Sequence, residues 1–441
     1  MAIHSSSAEP GPFPLQRERL LLVDPEPDRS PLQYPALRVA RQWTPDRVVA
    51  EIEAAGLRGR GGAAFPTATK WRAAAEGAPP RYVVVNGGED EPGSRKDRFL
   101  MENHPHRVIE GALIAARAVG ASKVFFYVNR TFTASLRPLW GALEDAGAAG
   151  LLGDVEAAVV EAPPEYVAGE ETAALEVIEG RPARPRRKPP YPVQAGLWGR
   201  PTVVNNVETL AQAAAIVHQG AERVRRLGTA ASPGTLLLSV GGGVNRPGVF
   251  EVPFGTPLRA VVEDLAGGVW GGRSVKAILP GGPSAGYLPG TALDTPIDYD
   301  ALAQAGSWVG CGAIRVVPRG MCMVEELLRL APFFAEESCG QCGTCLQGTR
   351  RILELLENLR LGIRGEHALD LLRRLGTRLP GTGLCGLVGA GAAPVASAIR
   401  WFPDDFLHHA RYGVCPQLGP VPGGRGAGAS PPFRARRPSG P

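Results

Sequence analysis

The stretches YVVVNG at 82–87, VIEGALIAARAVG at 108–120 and VFFYVN at 124–129, read together, decide the fold. The first and third are short apolar runs ending in polar residues, the pattern of strands buried on both faces of a parallel sheet. The middle one has apolar residues at helical spacing and stops on Gly120, a residue free to adopt the left-handed C-cap conformation. Strand, helix, strand is a βαβ unit, and it puts Asn86 and Asn129 at the carboxyl ends of two parallel strands. Open α/β sheets bind ligands just outside those ends.

Working outward, RVVAEIEAAG (47–56) has helical spacing and runs into a crowd of glycines. The Pro-rich, basic segment 180–200 reads as an ordered crossing loop, and TVVNNVETLAQAAAIVHQ (202–219) as an amphipathic helix after a polar turn. Between 234 and 320 the texture changes to short β segments, TLLLSVGG, GVFEVPFG and VKAILPGG, with GTPLRAVVEDLAGG as an intervening helix. From 321 the chain reads as helical. The expected division is an extended arm (1–40), an α/β domain (41–232), a small mixed domain (233–320), a helical domain (321–412) and a disordered tail (413–441).

Composition narrows the classes. The chain has 441 residues, 44% of them hydrophobic, and a formal charge of +5. It holds no run of apolar residues long enough to span a bilayer. The modest positive charge comes without a zinc finger, an aromatic–basic RNA motif or a recognition helix, so nucleic acid is not an expected partner. The seven cysteines are odd in number and no apolar leader opens the chain, which argues against a disulfide framework.

Four of those cysteines carry chemistry. Cys339, Cys342 and Cys345 stand in ESCGQCGTC (337–345), and Cys385 follows in GTGLCG. A close triplet plus one remote thiolate suits a [4Fe–4S] cube, one ligand per iron. A single tetrahedral zinc uses the same ligands, more often as two Cys-x2-Cys pairs, and that reading stays open. Cys311, Cys322 and Cys415 read as buried or incidental thiols.

An iron–sulfur centre needs something to load it, and four other segments offer a cofactor crevice. GLRGRGGAAFPTATKW (56–71) lacks a Walker ending, but its glycines let backbone N–H groups close on a phosphate, with Lys70 adding a charge. NGGEDEPGSRKDR (86–98) starts at a strand end and gathers acids, and AGEET (168–172) precedes a helix that its acids can cap. NNVET (205–209) offers two amides able to pair with the edges of a flavin ring.

These motifs resemble the NADH-binding, flavin-bearing 51 kDa-type (F) subunit of bacterial complex I, shared with NAD-linked formate dehydrogenases and hydrogenase diaphorases. The resemblance covers about 45–410 and rests on GLRGRGGAAFPT with KW at 56–71, EPG with KDR at 91–98, GEETA at 169–173, PTVVNNVETL at 201–210 and ESCGQCGTC at 337–345. It implies FMN contacts at Gly59, Arg60, Gly61, Gly62, Lys70, Asn86, Glu89, Gly169, Glu170, Glu171, Asn205, Asn206 and Thr209. It implies NADH contacts at Phe65, Glu91, Lys188 and Tyr191, with Glu91 and Glu171 placing the nicotinamide, and cluster ligation by Cys339, Cys342, Cys345 and Cys385. The implied domains are a Rossmann-like FMN domain, a ubiquitin-like (β-grasp, SLBB-type) domain and a C-terminal helical bundle holding the [4Fe–4S] centre.

The implied activity is that of an NADH dehydrogenase (diaphorase) subunit that supplies electrons to a quinone oxidoreductase, with NADH favoured over NADPH. Implied partners are a thioredoxin-like [2Fe–2S] subunit and a larger multi-cluster subunit. The implied location is cytoplasmic, peripheral to the membrane through those partners. The chain departs from the family pattern where it carries Gly88 in place of an aspartate, with Asp90 nearby, and Pro163–Pro164 ahead of GEET. Thr344 and Leu346 likewise replace a proline and an arginine. These departures keep a second reading open, an FMN and iron–sulfur relay or structural subunit of a formate dehydrogenase or hydrogenase-type complex with lost or altered NAD(H) binding.

Overall fold

The structure is a computed structural model and describes residues 19–22, 33–415 and 417. Most of the expected arm and almost all of the expected tail lie outside the described residues. Four strands, β1 (Tyr82–Gly87), β2 (Lys123–Asn129), β3 (Glu156–Ala162) and β4 (Thr202–Asn206), form a sheet in the order β3-β2-β1-β4. Every pairing in it is parallel. Val83, Val84 and Val85 of β1 are buried on both faces, as the unbroken apolar run requires.

The connecting helix Pro105–Val119 ends at Gly120, whose φ of +64° is the left-handed stop read from the sequence. It crosses the helix Val207–Gln219 so closely that a Cβ at Gly111 would lie 1.9 Å from the Leu210 carbonyl oxygen. Only glycine fits that crossing.

Two readings need correction. Residues 202–219 are not one amphipathic helix. The β-branched TVVNN forms the edge strand β4, and the helix begins only at Val207 with Asn206 as its N-cap. That helix is buried all round, so it has no polar face to show. Residues 1–40 are also not all arm, since a helix spans Pro35–Gln42 and Leu20 and Leu21 are fully buried. Their backbone N–H groups donate to the buried carboxylate of Glu251, at 2.8 Å and 3.0 Å. The helix expected in GTPLRAVVEDLAGG is present over residues 258–265, an α-helical turn at Leu258–Ala260 that continues directly as a π-helical turn at Val261–Leu265.

The second sheet holds β5 (Thr235–Gly242), β6 (Gly248–Pro253), β7 (Val275–Leu279), β8 (Leu288–Pro289) and β9 (Ala313–Pro318) in the order β6-β5-β9-β7-β8. Its first and last strands, β5 and β9, lie side by side and parallel, and the other pairings are antiparallel. Beyond it, helices Met323–Glu336, Gly343–Arg360, Gly365–Arg378, Leu387–Trp401 and Pro403–Tyr412 pack around one apolar core. Among the described residues no helix is long and apolar enough to cross a membrane.

Candidate active site

A cleft of about 1620 Å³ opens at the carboxyl ends of β1 and β4. It exceeds the roughly 1,000 Å³ upper range for one small ligand, so it has room for two ligands together. Three helix N-termini bound it, those of Lys96–Asn103, Glu171–Ile178 and Val207–Gln219, and the positive ends of their dipoles suit anions. All the sequence-predicted flavin and nicotinamide residues line this cleft except Arg60.

Arg60 is placed elsewhere. Its guanidinium donates to Tyr299 Oη (2.8 Å) and to the Thr235 carbonyl (3.1 Å) and lies over the Phe254 ring, so it ties the glycine loop to the second sheet. Its backbone N–H donates to Thr209 Oγ1 (2.9 Å), while Gly59 N–H donates to the Phe65 carbonyl (2.9 Å). These two bonds pin the base of the loop and leave Gly61, Gly62 and Phe65 at the cleft surface. Phe65 and Tyr191 are both about half exposed there, two aromatic faces available for stacking.

The cleft's charges are already paired. Lys188 Nζ donates to Glu170 Oε1 (2.8 Å) and Glu171 Oε1 (2.7 Å), and Lys70 Nζ donates to Glu171 Oε2 (3.1 Å) and the Val204 carbonyl (3.0 Å). Burial works to raise the Glu171 pKa, but the two lysines overcome it and hold the carboxyl below its ordinary range. Glu170 also caps its helix, accepting from Thr172 and Ala173 N–H (2.8 and 3.0 Å) as the sequence suggested.

Glu89 lines the cleft yet spends its oxygens locally. It accepts from Ser94 Oγ (2.6 Å) and from the Asp97 and Arg98 backbone N–H groups (3.1 and 2.9 Å), holding the first turn of the helix Lys96–Asn103. Glu91 Oε1 accepts from Ser284 N–H (3.0 Å) and Ser284 Oγ (2.7 Å), and its Oε2 accepts from Tyr166 Oη (3.4 Å). Burial raises the Glu91 pKa, and the bonds from Ser284 only partly oppose it.

The two amides read as flavin partners turn out to be engaged in the scaffold. Asn205 Oδ1 accepts from Trp71 Nε1 (2.7 Å). Asn206 Nδ2 donates to Asp97 Oδ2 (2.6 Å), and its Oδ1 accepts from Lys96 Nζ (3.3 Å) and Glu208 N–H (3.0 Å). Lys96 is also 2.9 Å from both Asp97 Oδ1 and Glu208 Oε2, with all three side chains buried. This cation between two carboxylates fixes the floor of the cleft. Nothing in the local sequence marks the trio for that role, because Glu208 and Asn206 lie more than a hundred residues beyond Lys96 and Asp97.

Gly88, where the resemblance implies an aspartate, sits against Gly169. A Cβ there would come within 3.2 Å of the Gly169 Cα, and one on Gly169 would lie 2.7 Å from the Gly88 carbonyl oxygen. The acid is displaced to Asp90 in the same cleft wall, where Asn129 Nδ2 donates to Oδ1 and Oδ2 is buried without a partner. Burial lifts the Asp90 pKa to about 7, against that amide bond. An orphaned carboxylate oxygen beside an apolar cleft wants a donor, and a flavin ring edge or a ribose hydroxyl supplies one. The residues present therefore fit a flavin nucleotide.

The four cysteines of the triplet and GTGLCG line one small cavity together with Val167, Leu384 and Leu387. Cys339, Cys342 and Cys385 are partly exposed and Cys345 is buried. Leu384 N–H donates to Cys342 Sγ (3.3 Å) and Ser338 Oγ to Cys345 Sγ (3.5 Å), the outer-shell bonds a cluster thiolate accepts. Burial raises the pKa of Cys385 and of Cys345, and neighbouring cysteines add to it, so bare thiolates are unfavourable without metal.

Four thiols around one cavity can supply one ligand per iron, so the residues present fit an iron–sulfur centre.

Cys385, Val167 and Leu387 line both the cleft and the sulfur cavity, so the two sites share a wall. A flavin-sized cleft sharing a wall with a four-cysteine cavity defines a flavin and iron–sulfur oxidoreductase.

Comparison with known proteins narrows the class. Residues 52–215 match the Nuo51 FMN-binding domain, and residues 325–409 match the NADH-ubiquinone oxidoreductase-F iron–sulfur binding region. The F subunit of the NADH-quinone oxidoreductase of Mycobacterium tuberculosis strain H37Rv is 42% identical over 397 residues, covering 87% of this chain and 89% of that protein. The second F-type subunit of Rhizobium meliloti is 38% identical over 87% of this chain and 93% of its own length. An NAD+-reducing [NiFe]-hydrogenase in its H2-reduced state superimposes with a TM-score of 0.79 at 36% identity over 87% of this chain. The match spans 65% of that hydrogenase chain. The chain belongs to the family of F-type subunits of NADH-quinone oxidoreductase, and is an NADH:acceptor oxidoreductase subunit of the FMN and iron–sulfur type.

Proposed function

We propose that the chain binds FMN and NADH together in the cleft and passes electrons one at a time to a [4Fe–4S] centre on Cys339, Cys342, Cys345 and Cys385. The shared wall at Cys385, Val167 and Leu387 is the observation that carries this reading, because it brings a cofactor held in the cleft next to a cluster ligand. Bound flavin supplies the conversion of a hydride into single electrons. The chain's own residues bind and orient. The loop at Gly59, Gly61 and Gly62 receives the phosphate, Phe65 and Tyr191 flank the nicotinamide nucleotide, and Glu91 and Glu171 place its polar edge. No side chain has to donate a proton for hydride transfer.

Asp90 deepens this reading. Near neutral pH it exists in both states, and protonated it donates to the cleft where an ionised aspartate at 88 could only accept. The alternative in which NAD(H) binding is lost drew on Gly88 and Pro163–Pro164. Against it, Tyr166, which follows those prolines, is firmly seated, its N–H donating to Glu337 (2.9 Å) and its hydroxyl to Glu91.

The second sheet supports a ubiquitin-like β-grasp unit, since β5 and β9 are the parallel central pair with hairpin strands outside. The division into flavin, β-grasp and helical domains at 41–232, 233–320 and 321–412 follows these elements. Outgoing electrons need another chain, and a [2Fe–2S] subunit with a larger multi-cluster subunit suits that need. Exposed Leu361, Ile363, Tyr412 and Val414 cluster where Gly362 and Gly413 meet, an apolar patch of the kind that partners cover. Attachment to a membrane through such partners, with quinone as the final acceptor, completes the proposal. Native mass measurement of the purified complex tests it. Co-purification of two further iron–sulfur chains is the expected result, and a fully active lone chain contradicts it.

A further inference from the structure

We propose a second metal site, separate from the iron–sulfur pocket, in which Cys322, His409 and Cys415 bind one zinc-class divalent ion. Their three ligand atoms lie within 4.8 Å of one another, and Cys322 Sγ is 3.3 Å from His409 Nε2. Ligands on one zinc, at about 2.3 Å for sulfur and 2.0–2.1 Å for nitrogen, sit roughly 3.3–3.8 Å apart. The trio is already near that spacing. All three side chains are buried, at 4%, 1% and 9% exposure.

The chemistry of the donors is matched to a borderline-soft ion. Two thiolates and a neutral imidazole select zinc-class metals over magnesium or calcium. Cys322 is the N-cap of the helix Met323–Glu336, at the positive end of its dipole. That geometry favours a thiolate. Binding displaces one proton from each thiol, so the ion enters as M2+ and two H+ leave. Asp405 does not compete for the ion, because its carboxylate accepts from Lys276 Nζ (2.6 Å) and Met323 N–H (2.7 Å). The described residues supply three ligands, which leaves the fourth tetrahedral position to a water or another small donor.

The site's placement gives it a structural role. Cys322 precedes the helix that leads toward the cluster triplet, while His409 and Cys415 lie at the end of the last helix and just beyond it. The ion would fasten the last helix to the one that carries the chain into the cluster pocket.

The test uses the full chain with its flavin and iron–sulfur centre, purified without added chelator and incubated with zinc alone. Elemental analysis should find one zinc per chain beyond the iron. Zinc-edge X-ray absorption on the unmutated protein should show two sulfurs at about 2.3 Å with nitrogen or oxygen at about 2.0 Å. Cys415→Ser and His409→Gln should each lower zinc affinity at least tenfold while iron and flavin contents stay unchanged. Four sulfurs around the zinc would place it in the cluster pocket and overturn the proposal. So would zinc retention unchanged in both variants, or a Cys322–Cys415 disulfide in the peptide map of freshly purified protein.

Discussion

The cofactor cleft and the sulfur cavity differ in what the chain supplies by itself. In the cleft nearly every charge has a protein partner, from Lys188 between Glu170 and Glu171 to the buried Lys96 between Asp97 and Glu208. In the sulfur cavity the ligands have weak donors, Leu384 N–H, the Ser338 hydroxyl and the Gln341 amide, and burial opposes ionising Cys345 and Cys385. The cleft is therefore preorganised, whereas the cavity is completed by its metal. Preorganisation suits hydride transfer, which needs geometry more than acid–base chemistry. Metal completion suits electron transfer, where ligands and their outer shell set the potential.

Four experiments put that contrast at risk. The largest effect is expected in the cavity. Cys385→Ala removes the one remote ligand, so iron should fall from about four per chain to three or none, while bound flavin stays. An unchanged four-iron spectrum would show that the fourth ligand lies elsewhere.

The corresponding change in the cleft is Lys96→Met, which leaves Asp97 and Glu208 buried without their cation. Loss of one partner from a buried charge group costs about 3–5 kcal/mol. Urea unfolding of the chain should move by that amount, and flavin binding should weaken with it. A shift below about 1 kcal/mol would mean that water reaches these carboxylates and that the floor is not dry.

A pH titration separates the two regions further. Asp90 has its ordinary pKa of 3.8 when unfolded and about 7 in the fold. Between those values the folded chain holds the extra proton, so its stability falls as pH rises from about 4 to about 7 and levels off above. The slope is no steeper than about 1.4 kcal/mol per pH unit. Asp90→Asn should remove that component, and an identical profile in the variant would place the titration elsewhere.

The smallest effect concerns the nucleotide. Lys188 is neutralised by two glutamates, and Arg186 pairs with Glu176 and with Glu179 (3.0 Å), so neither is free for a 2′-phosphate. NADH should exceed NADPH in kcat/KM by roughly tenfold, about 1.4 kcal/mol. Equal turnover would show a basic residue recruited on binding.

The legible parts of this molecule were the local ones. The βαβ unit, the glycine loop, the Glu170 cap and the cysteine triplet each declare themselves through periodicity or spacing within short contiguous motifs. What escaped depended on distant partners. TVVNN looked like the approach to a helix because its strand pairing is with β1, far back in the chain. Arg60, an implied flavin contact, sends its guanidinium to Tyr299 and Thr235, which lie 239 and 175 residues away. Asn206 lines the cleft, but the bonds of its amide to Lys96 and Asp97 reach 110 and 109 residues back.

The proposed activity depends on electrons passing from the cleft to the sulfur cavity through their common wall. Anaerobic rapid mixing of the isolated holo-chain with NADH follows that passage, first by the flavin absorption band and then by the paramagnetic signal of the frozen sample. Bleaching of the flavin should come first, and the signal of a reduced four-iron centre should follow it. Flavin that dithionite bleaches but NADH leaves oxidised would overturn the proposed route, as would bleaching by NADH with the cluster still oxidised.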